Sequence, residues 1–119
     1  MYCDIGDYTE ALRLMQQCYE MRKMILGEEN PETLKCLASL AVFNWKLGNK
    51  EKSIELTEQC YELRKRALGE ENPATMQILY SLAYRYMEAG EYAKAQEYLN
   101  VHKEIKKRIA IKKHLGDNA

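Results

Sequence analysis

The chain has 119 residues, with 18 basic and 18 acidic side chains and a formal net charge of zero, so as a whole it exerts no electrostatic pull on nucleic acid. Its hydrophobic share of 46% allows a packed core, and its length suits one domain. No segment approaches the run of about 18 apolar residues that a membrane span needs, and the first residues lack the basic and apolar regions of a secretory signal.

The first predicted helix ends at Leu26–Gly27, because glycine accepts the backbone conformation that closes a helix. Its apolar residues follow three- and four-residue steps, which is the spacing of one helical face. These residues are Ala11, Leu12, Met15, Cys18, Tyr19, Ile25 and Leu26.

The second predicted helix begins at Asn30–Pro31, an N-cap followed by a proline that needs no hydrogen-bond partner there, and Gly48 ends it. Its apolar residues fall on nearly every side, so it is predicted to lie between neighbouring helices. They form three rows: Leu34, Leu37, Ala41 and Asn44; Cys36, Leu40, Phe43 and Leu47; and Ala38, Val42 and Trp45.

The remaining predicted helices begin and end at the same kinds of residue, which serve as the punctuation of the sequence. The third starts near Lys50 and ends at Leu68–Gly69, and the fourth runs from Asn72–Pro73 to Gly90. At an offset of 42 residues, Gln17–Ala41 and Gln59–Ala83 are identical at 17 of 25 positions. An internal match of this kind indicates stacked copies of one helix–turn–helix unit.

The fifth predicted helix starts near Glu91 and departs from the repeat. Ile111 stands where a glycine is expected, and the Leu–Gly signal reappears only at Leu115–Gly116. His102 and Lys103 replace the apolar residues of the earlier unit, as a terminal helix with a solvated outer face requires.

The cysteines at positions 3, 18, 36 and 60 show no CxxC pair and no histidine at ligand spacing. Cys18 and Cys60 occupy the same place in the repeat, which favours small core residues over a disulfide framework. This usage favours a reducing compartment, and the cytoplasm is the expected location.

The repeated residues resemble the tetratricopeptide repeat family. Leu40–Ala41, Gly48 and Ser53 fit its pattern of a small residue after leucine, a glycine at the turn and a small residue in the second helix, and Leu82–Ala83, Gly90 and Ala95 fit it again. The 42-residue period is similar to that of kinesin light chains. Where light chains often carry an Asn–Asn pair that holds cargo, this chain has Ala38–Ser39 and Tyr80–Ser81.

The resemblance implies an all-α fold, a solenoid of antiparallel helix hairpins with five helices in about two and a half repeats. The whole chain, 1–119, is expected to form one domain: 1–29 is a partial repeat with only its second helix, 30–71 is a full repeat, and 72–119 is a repeat with an extended capping helix. Such a short array is expected either to belong to a longer one or to cover its ends by self-association.

Catalysis has little support in the sequence. The two histidines, His102 and His114, have no companion nucleophile at a suggestive spacing, and no phosphate-binding glycine motif or zinc-ligand cluster occurs. The paired glutamates at 28–29 and 70–71 precede helix N-termini, where negative charge is mildly stabilising. No enzymatic activity, metal or cofactor is predicted.

In tetratricopeptide arrays the first helix of each unit lines a concave surface, and the resemblance implies which residues face it here. They are Lys35, Ala38, Val42, Trp45, Gln77, Tyr80, Tyr84 and Met87. Their i, i+3, i+7, i+10 spacing places each row on one helix face. Aromatic rows at this spacing also occur in cores, so packing on an adjacent helix is the alternative interpretation.

Three functions are therefore open. The first is a protein-interaction module that holds a peptide or protein segment on this surface, and the second is a homo-oligomer formed through exposed ends. The third, ranked last, is nucleic-acid binding by the basic segment 103–113, whose local net charge is +5. No stacking aromatics interleave that segment, so a solvated charged face is the simpler interpretation.

Overall fold

A computed structural model describes residues 5–118 of the chain, with the side chains of residues 8–116. Five helices account for nearly all of this range. They are α1 (Ile5–Leu26), α2 (Pro31–Lys46), α3 (Lys50–Leu68), α4 (Pro73–Glu88) and α5 (Tyr92–Asn118). The predicted all-α helical repeat is confirmed, and Cys3 lies outside the described residues.

From the end of α1 to the end of α4, the helices begin and end where the sequence punctuation predicts. The side chains of Asn30 and Asn72 each accept a hydrogen bond of 2.9 Å from the backbone N–H two residues later, which satisfies an N–H that the helix leaves free. Gly27 and Gly69 follow α1 and α3 with φ angles of +91° and +90°, a region that only glycine enters without strain. The connector between α1 and α2 and the connector between α3 and α4 therefore have the same structure.

Each helix packs on its neighbours in the chain, and α2 contacts both α1 and α3. This position confirms the expectation for a helix that is apolar on nearly every side. Leucines fill the centre of the stack: Leu34, Leu37, Leu40, Leu79 and Leu82 are almost completely buried.

Small residues set how closely the two helices of a hairpin approach. The buried Ser53 hydroxyl of α3 donates a hydrogen bond of 2.7 Å to the Ala41 carbonyl of α2. Ala95 of α5 occupies the equivalent position in the next hairpin and is also buried. A larger side chain here would separate the helices.

The last helix, α5, extends beyond the hairpin that it closes. Ile105 is fully buried, and the Tyr98 ring stacks on Tyr86 of α4 at a centroid distance of 5.7 Å. The helix then continues through Leu115–Gly116 with exposed side chains, so that pair does not end it. Within residues 5–118, no helix combines the length and apolarity that crossing a membrane requires.

Candidate protein-binding surface

The eight residues assigned to the A-helix face from the sequence (Lys35, Ala38, Val42, Trp45, Gln77, Tyr80, Tyr84 and Met87) lie on α2 and α4. Six of them are exposed, and Ala38 and Trp45 are half-buried. The two tyrosines, Tyr80 and Tyr84, expose 54% and 51% of their surface, so they do not form core. Whether this face binds a partner stays a prediction.

One part of the A-helix face is an open depression of about 370 Å³, here called the aromatic depression. It is lined by Trp45, Tyr80, Ser81, Tyr84 and Arg85. The structure thus brings three of the eight predicted residues together from two helices. Lys35, Ala38, Val42, Gln77 and Met87 do not line it.

Two cations lie beside Trp45. The Arg85 guanidinium carbon and the Lys50 ammonium each lie 5.3 Å from the centre of a Trp45 ring. Such contacts orient the indole and keep both charges beside it. Trp45 is half-buried, whereas most other residues of the A-helix face are exposed.

Arg85 is a charged side chain in a partly desolvated place. Burial lowers the pKa of its guanidinium, and its Nε atom has no hydrogen-bond partner. Among the described side chains, neither Arg85 nor Lys50 forms an ion pair with a carboxylate. A partly buried cation of this kind is stabilised when an acceptor reaches it.

The preceding unit has a different pair at the same two positions. Subtracting the 42-residue period from Lys50 and Arg85 gives Tyr8 and Phe43, whose rings lie 5.6 Å apart. An aromatic contact between α1 and α2 is thus replaced by two positive charges between α3 and α4. The cations beside Trp45 are a local feature of this interface rather than a requirement of the fold.

Other residues of the A-helix face have neighbours of their own. The Lys35 ammonium lies 3.5 Å from a Glu32 carboxylate oxygen, and Ala38 packs against the core. The Tyr80 ring contacts the His102 ring of α5 at 5.6 Å. Burial and the nearby Lys106 lower the pKa of His102, which favours its neutral form against that ring.

A second depression, of about 550 Å³, lies between the start of α3 and the turn from α4 to α5. Glutamates dominate its lining, together with Lys50 and Lys94: Glu51, Glu55, Glu58, Glu88 and Glu91. The Tyr98 hydroxyl donates a hydrogen bond of 3.2 Å to Glu58, and burial together with this carboxylate raises the pKa of Tyr98 to about 12. The second depression is therefore a solvated acidic surface that lies beside a cluster of buried tyrosines.

The basic segment of α5 is partly neutralised within the chain. Arg108 pairs with Glu70 at 2.8 Å, and Lys112 pairs with Glu71 at 2.8 Å. One repeat earlier, Arg66 lies 3.6 Å from Glu29. The acidic connectors therefore also hold the following second helix of each unit.

The outer side of α1 carries a separate apolar surface. Met24 and Ile25 expose 85% and 73% of their surface, and Leu14, Met21 and Leu26 are exposed beside them.

Among the described residues, no group of three or more His, Cys, Asp or Glu side chains could hold a metal ion.

Sequence reasoning did not identify Lys50, Ser81 or Arg85 as residues of this surface. Family positions alone pointed to the rows of α2 and α4. Ser81 and Arg85 line the depression from other positions of α4, and Lys50 contacts the Trp45 ring from the start of α3. A signal was available, because Lys50 and Arg85 are charged where the preceding unit has Tyr8 and Phe43.

Comparison with known proteins agrees with this architecture. Two crystal structures of nearly identical TPR-like repeats of a kinesin light chain from Podosopora anserina superpose with a TM-score of 0.75 each. Their identities to this chain are 27% and 26%, over 88% and 87% of its length. The chain spans about half the length of these structures, 50% and 49%. No curated protein matches it in sequence.

The sequence pattern of the tetratricopeptide repeat family matches residues 1–66 and again residues 38–108. The two matches together span most of the chain and overlap by more than half a repeat. Membership of this family suggests that a chain serves as a scaffold for protein–protein interactions. With its 42-residue period and its kinesin-light-chain-like structural neighbours, this chain belongs to the tetratricopeptide repeat family.

Proposed function

We propose that the protein is a non-catalytic interaction module that binds a peptide or protein segment on the A-helix face, the face expected to be concave in this family. The observation that carries the proposal is the aromatic depression, where Trp45, Tyr80 and Tyr84 are accessible together. Three aromatic side chains from α2 and α4 offer a large contact area at a small cost in side-chain entropy.

The charges of the depression favour a particular ligand chemistry. A carboxylate placed beside the Arg85 guanidinium would supply the ionic partner that none of the described carboxylates provides, and Lys50, on the same Trp45 ring, would add a second favourable charge. An apolar side chain next to that carboxylate would rest on Tyr84 and Trp45. We therefore propose a segment in which an acidic residue neighbours an apolar or aromatic one.

A direct test selects peptides against the folded protein. Random peptides displayed on phage are selected on the purified chain, and the strongest are synthesised for measurement of the dissociation constant. We expect Trp45→Ala and Tyr84→Ala each to weaken binding about tenfold or more, since central aromatic residues dominate such interfaces. Leu115→Ala removes an exposed apolar side chain of α5 that does not line the depression, and it should bind like the parent.

Circular dichroism separates a lost contact from a lost fold. If Trp45→Ala and Tyr84→Ala both lose their helicity, the two residues are core and the assignment of the face is wrong. The same holds if Leu115→Ala weakens binding as much as the two substitutions do.

A second pair of variants tests the acidic preference. Arg85→Gln should weaken acidic peptides about tenfold and leave neutral ones almost unchanged, because the lost interaction is a charge-assisted hydrogen bond. Lys113→Gln removes one positive charge from an exposed position on α5 and controls for net charge. Equal losses in the two variants would mean that long-range attraction, not contact with Arg85, selects the peptide.

Self-association is a second candidate, favoured by the exposed apolar residues on the outer side of α1. Association of that surface with a second copy would remove Met24 and Ile25 from water. Sedimentation equilibrium at rising concentration should then show a dimer that Met24→Lys abolishes, whereas Ile111→Lys on α5 should not. A monomer at all concentrations would contradict self-association.

We propose the cytoplasm as the place of this function. Support comes from the cysteines, since Cys60 is a buried packing residue and Cys18 packs against the same core one repeat earlier. Such use of thiols as small hydrophobic groups is typical of reducing compartments.

Nucleic-acid binding by α5 stays the weakest proposal, because Arg108 and Lys112 already pair with Glu70 and Glu71.

A further inference from the structure

Two thiols meet where α1 packs on α2. The sulfur of Cys18, on α1, lies 3.9 Å from the sulfur of Cys36, on α2, and both cysteines are free. We propose that Cys18 and Cys36 form a redox-active pair, which a small disulfide such as oxidised glutathione converts into an intramolecular disulfide that staples the first two helices.

The geometry requires little movement. The sulfur atoms of a disulfide lie about 2.05 Å apart, so these two must approach by about 2 Å. Rotation about the side-chain bonds and a small shift of α1 along α2 supply movements of that size. The two helices are already held together by the four-residue connector that the pair would reinforce.

Access differs between the two thiols and sets the order of events. Cys18 is half-buried, whereas Cys36 is 8% exposed, so an oxidant in solution meets Cys18 first. Burial and the neighbouring Cys18 raise the pKa of the Cys36 thiol, while the Arg22 guanidinium, 3.5 Å from its sulfur, counteracts them. Arg22 also lies 3.4 Å from Glu32 on α2, and this exposed ion pair favours its position beside the sulfur that must become a thiolate.

The exchange balances in two steps. The Cys18 thiolate attacks one sulfur of oxidised glutathione, a mixed disulfide forms, and one glutathione thiolate leaves and takes up the proton that Cys18 lost. The Cys36 thiolate then attacks the Cys18 sulfur and releases the second glutathione thiolate, which takes up the proton from Cys36. Two protein thiols are oxidised and one glutathione disulfide is reduced to two thiols.

The next repeat provides an internal comparison. Cys60 occupies the place of Cys18, but Ile78 occupies the place of Cys36. Cys60 is fully buried and its sulfur is directed to the Leu34 carbonyl at 3.8 Å. Burial raises the pKa of its thiol, and no second thiol is present at that contact among the described residues. Oxidation is therefore expected at the α1–α2 contact and not at the α3–α4 contact.

The test uses the full chain carrying Cys3→Ser, which removes the thiol outside the described residues. The protein is equilibrated in glutathione buffers of increasing oxidised fraction. The remaining thiols are then alkylated in denaturant, because Cys60 is fully buried in the folded chain. We expect one alkylated cysteine, Cys60, and a cross-link between the tryptic peptides 14–22 and 36–46. The melting temperature should rise by on the order of 10 °C, since the cross-link restricts the unfolded chain.

Matched variants keep the outcome interpretable. Cys36→Ile places the residue of the next repeat at the same contact, so it should fold and form no cross-link, and neither should Cys18→Ser. Cys60→Ala should still form the cross-link. Three alkylated thiols in the most oxidising buffer would overturn the proposal, and so would a persistent glutathione adduct on Cys18 or a disulfide between two chains.

Discussion

The α1–α2 contact and the α3–α4 contact are built on the same plan with different chemistry. In each contact the first helix ends at a Leu–Gly pair, and the second helix begins at an Asn–Pro pair. Each contact buries one leucine completely, Leu37 in the first and Leu79 in the second. At the rim, an aromatic pair in the first contact corresponds to Lys50 and Arg85 in the second.

The thiols differ in the same way. Cys36 is opposed by Cys18 in the first contact, whereas Ile78 stands in its place in the second. Positions that are the same in both repeats hold the helices together, and positions that differ carry the chemistry proposed for each contact. Interactions with partners are thus to be sought where the two repeats diverge.

The largest effect is expected from the shared core. Leu37→Ala and Leu79→Ala should each lower the free energy of unfolding by about 3 kcal/mol, because each leaves a cavity in a fully packed stack. Urea unfolding followed by circular dichroism measures both. Equal losses would show that the two contacts are energetically equivalent, and a difference of more than about 1 kcal/mol would show that one of them is the weaker part of the array.

The connectors come next. Gly27→Ala and Gly69→Ala should each cost about 1–3 kcal/mol, because their φ angles of +91° and +90° strain any side chain although the space around them is open. Gly116→Ala is the control, since Gly116 lies within α5, where alanine is preferred to glycine. Should Gly116→Ala destabilise the protein as much as the other two in thermal unfolding, backbone conformation is not the cause.

Most of the fold was predictable because it depends on repeated residues. The starts of α2 and α4 at Pro31 and Pro73 follow from capping chemistry that involves only neighbouring residues. The continuation of α5 past Leu115–Gly116 was not predictable, since the sequence does not reveal that Gly116 stays helical.

The candidate site was predictable only in part, for a physical reason. Helical spacing places Trp45, Tyr80 and Tyr84 on one face, but it does not show which side chains reach across from the next helix. Arg85 and Lys50 both lie beside the Trp45 ring because α3 packs on α2 and α4 packs on α3, and helical spacing within one helix does not show this. The proximity of Cys18 to Cys36 arises likewise from the packing of α1 on α2.

A transplant of the first contact into the second tests the separation of fold from chemistry. Lys50→Tyr combined with Arg85→Phe reproduces Tyr8 and Phe43 one repeat later. The change should raise the free energy of unfolding by up to about 1 kcal/mol, since an aromatic pair replaces two like charges. Thermal unfolding measures it, and acidic peptides selected on the parent chain should no longer bind. Retained binding of those peptides would separate their recognition from the two cations.

The smallest effect is expected from the ion pairs that connect second helices to connectors. Arg108→Ala should lower the melting temperature by only about one or two degrees, and Arg66→Ala, which breaks the longer pair with Glu29, by less. The Glu70 carboxylate raises the pKa of Arg108 through a hydrogen bond in an exposed place, where water and salt compete with it. Calorimetry at low and high salt is the measurement, and the difference between Arg108→Ala and the parent chain should vanish at high salt. A difference that persists there would mean that the Arg108 side chain acts by packing on the connector rather than by its charge.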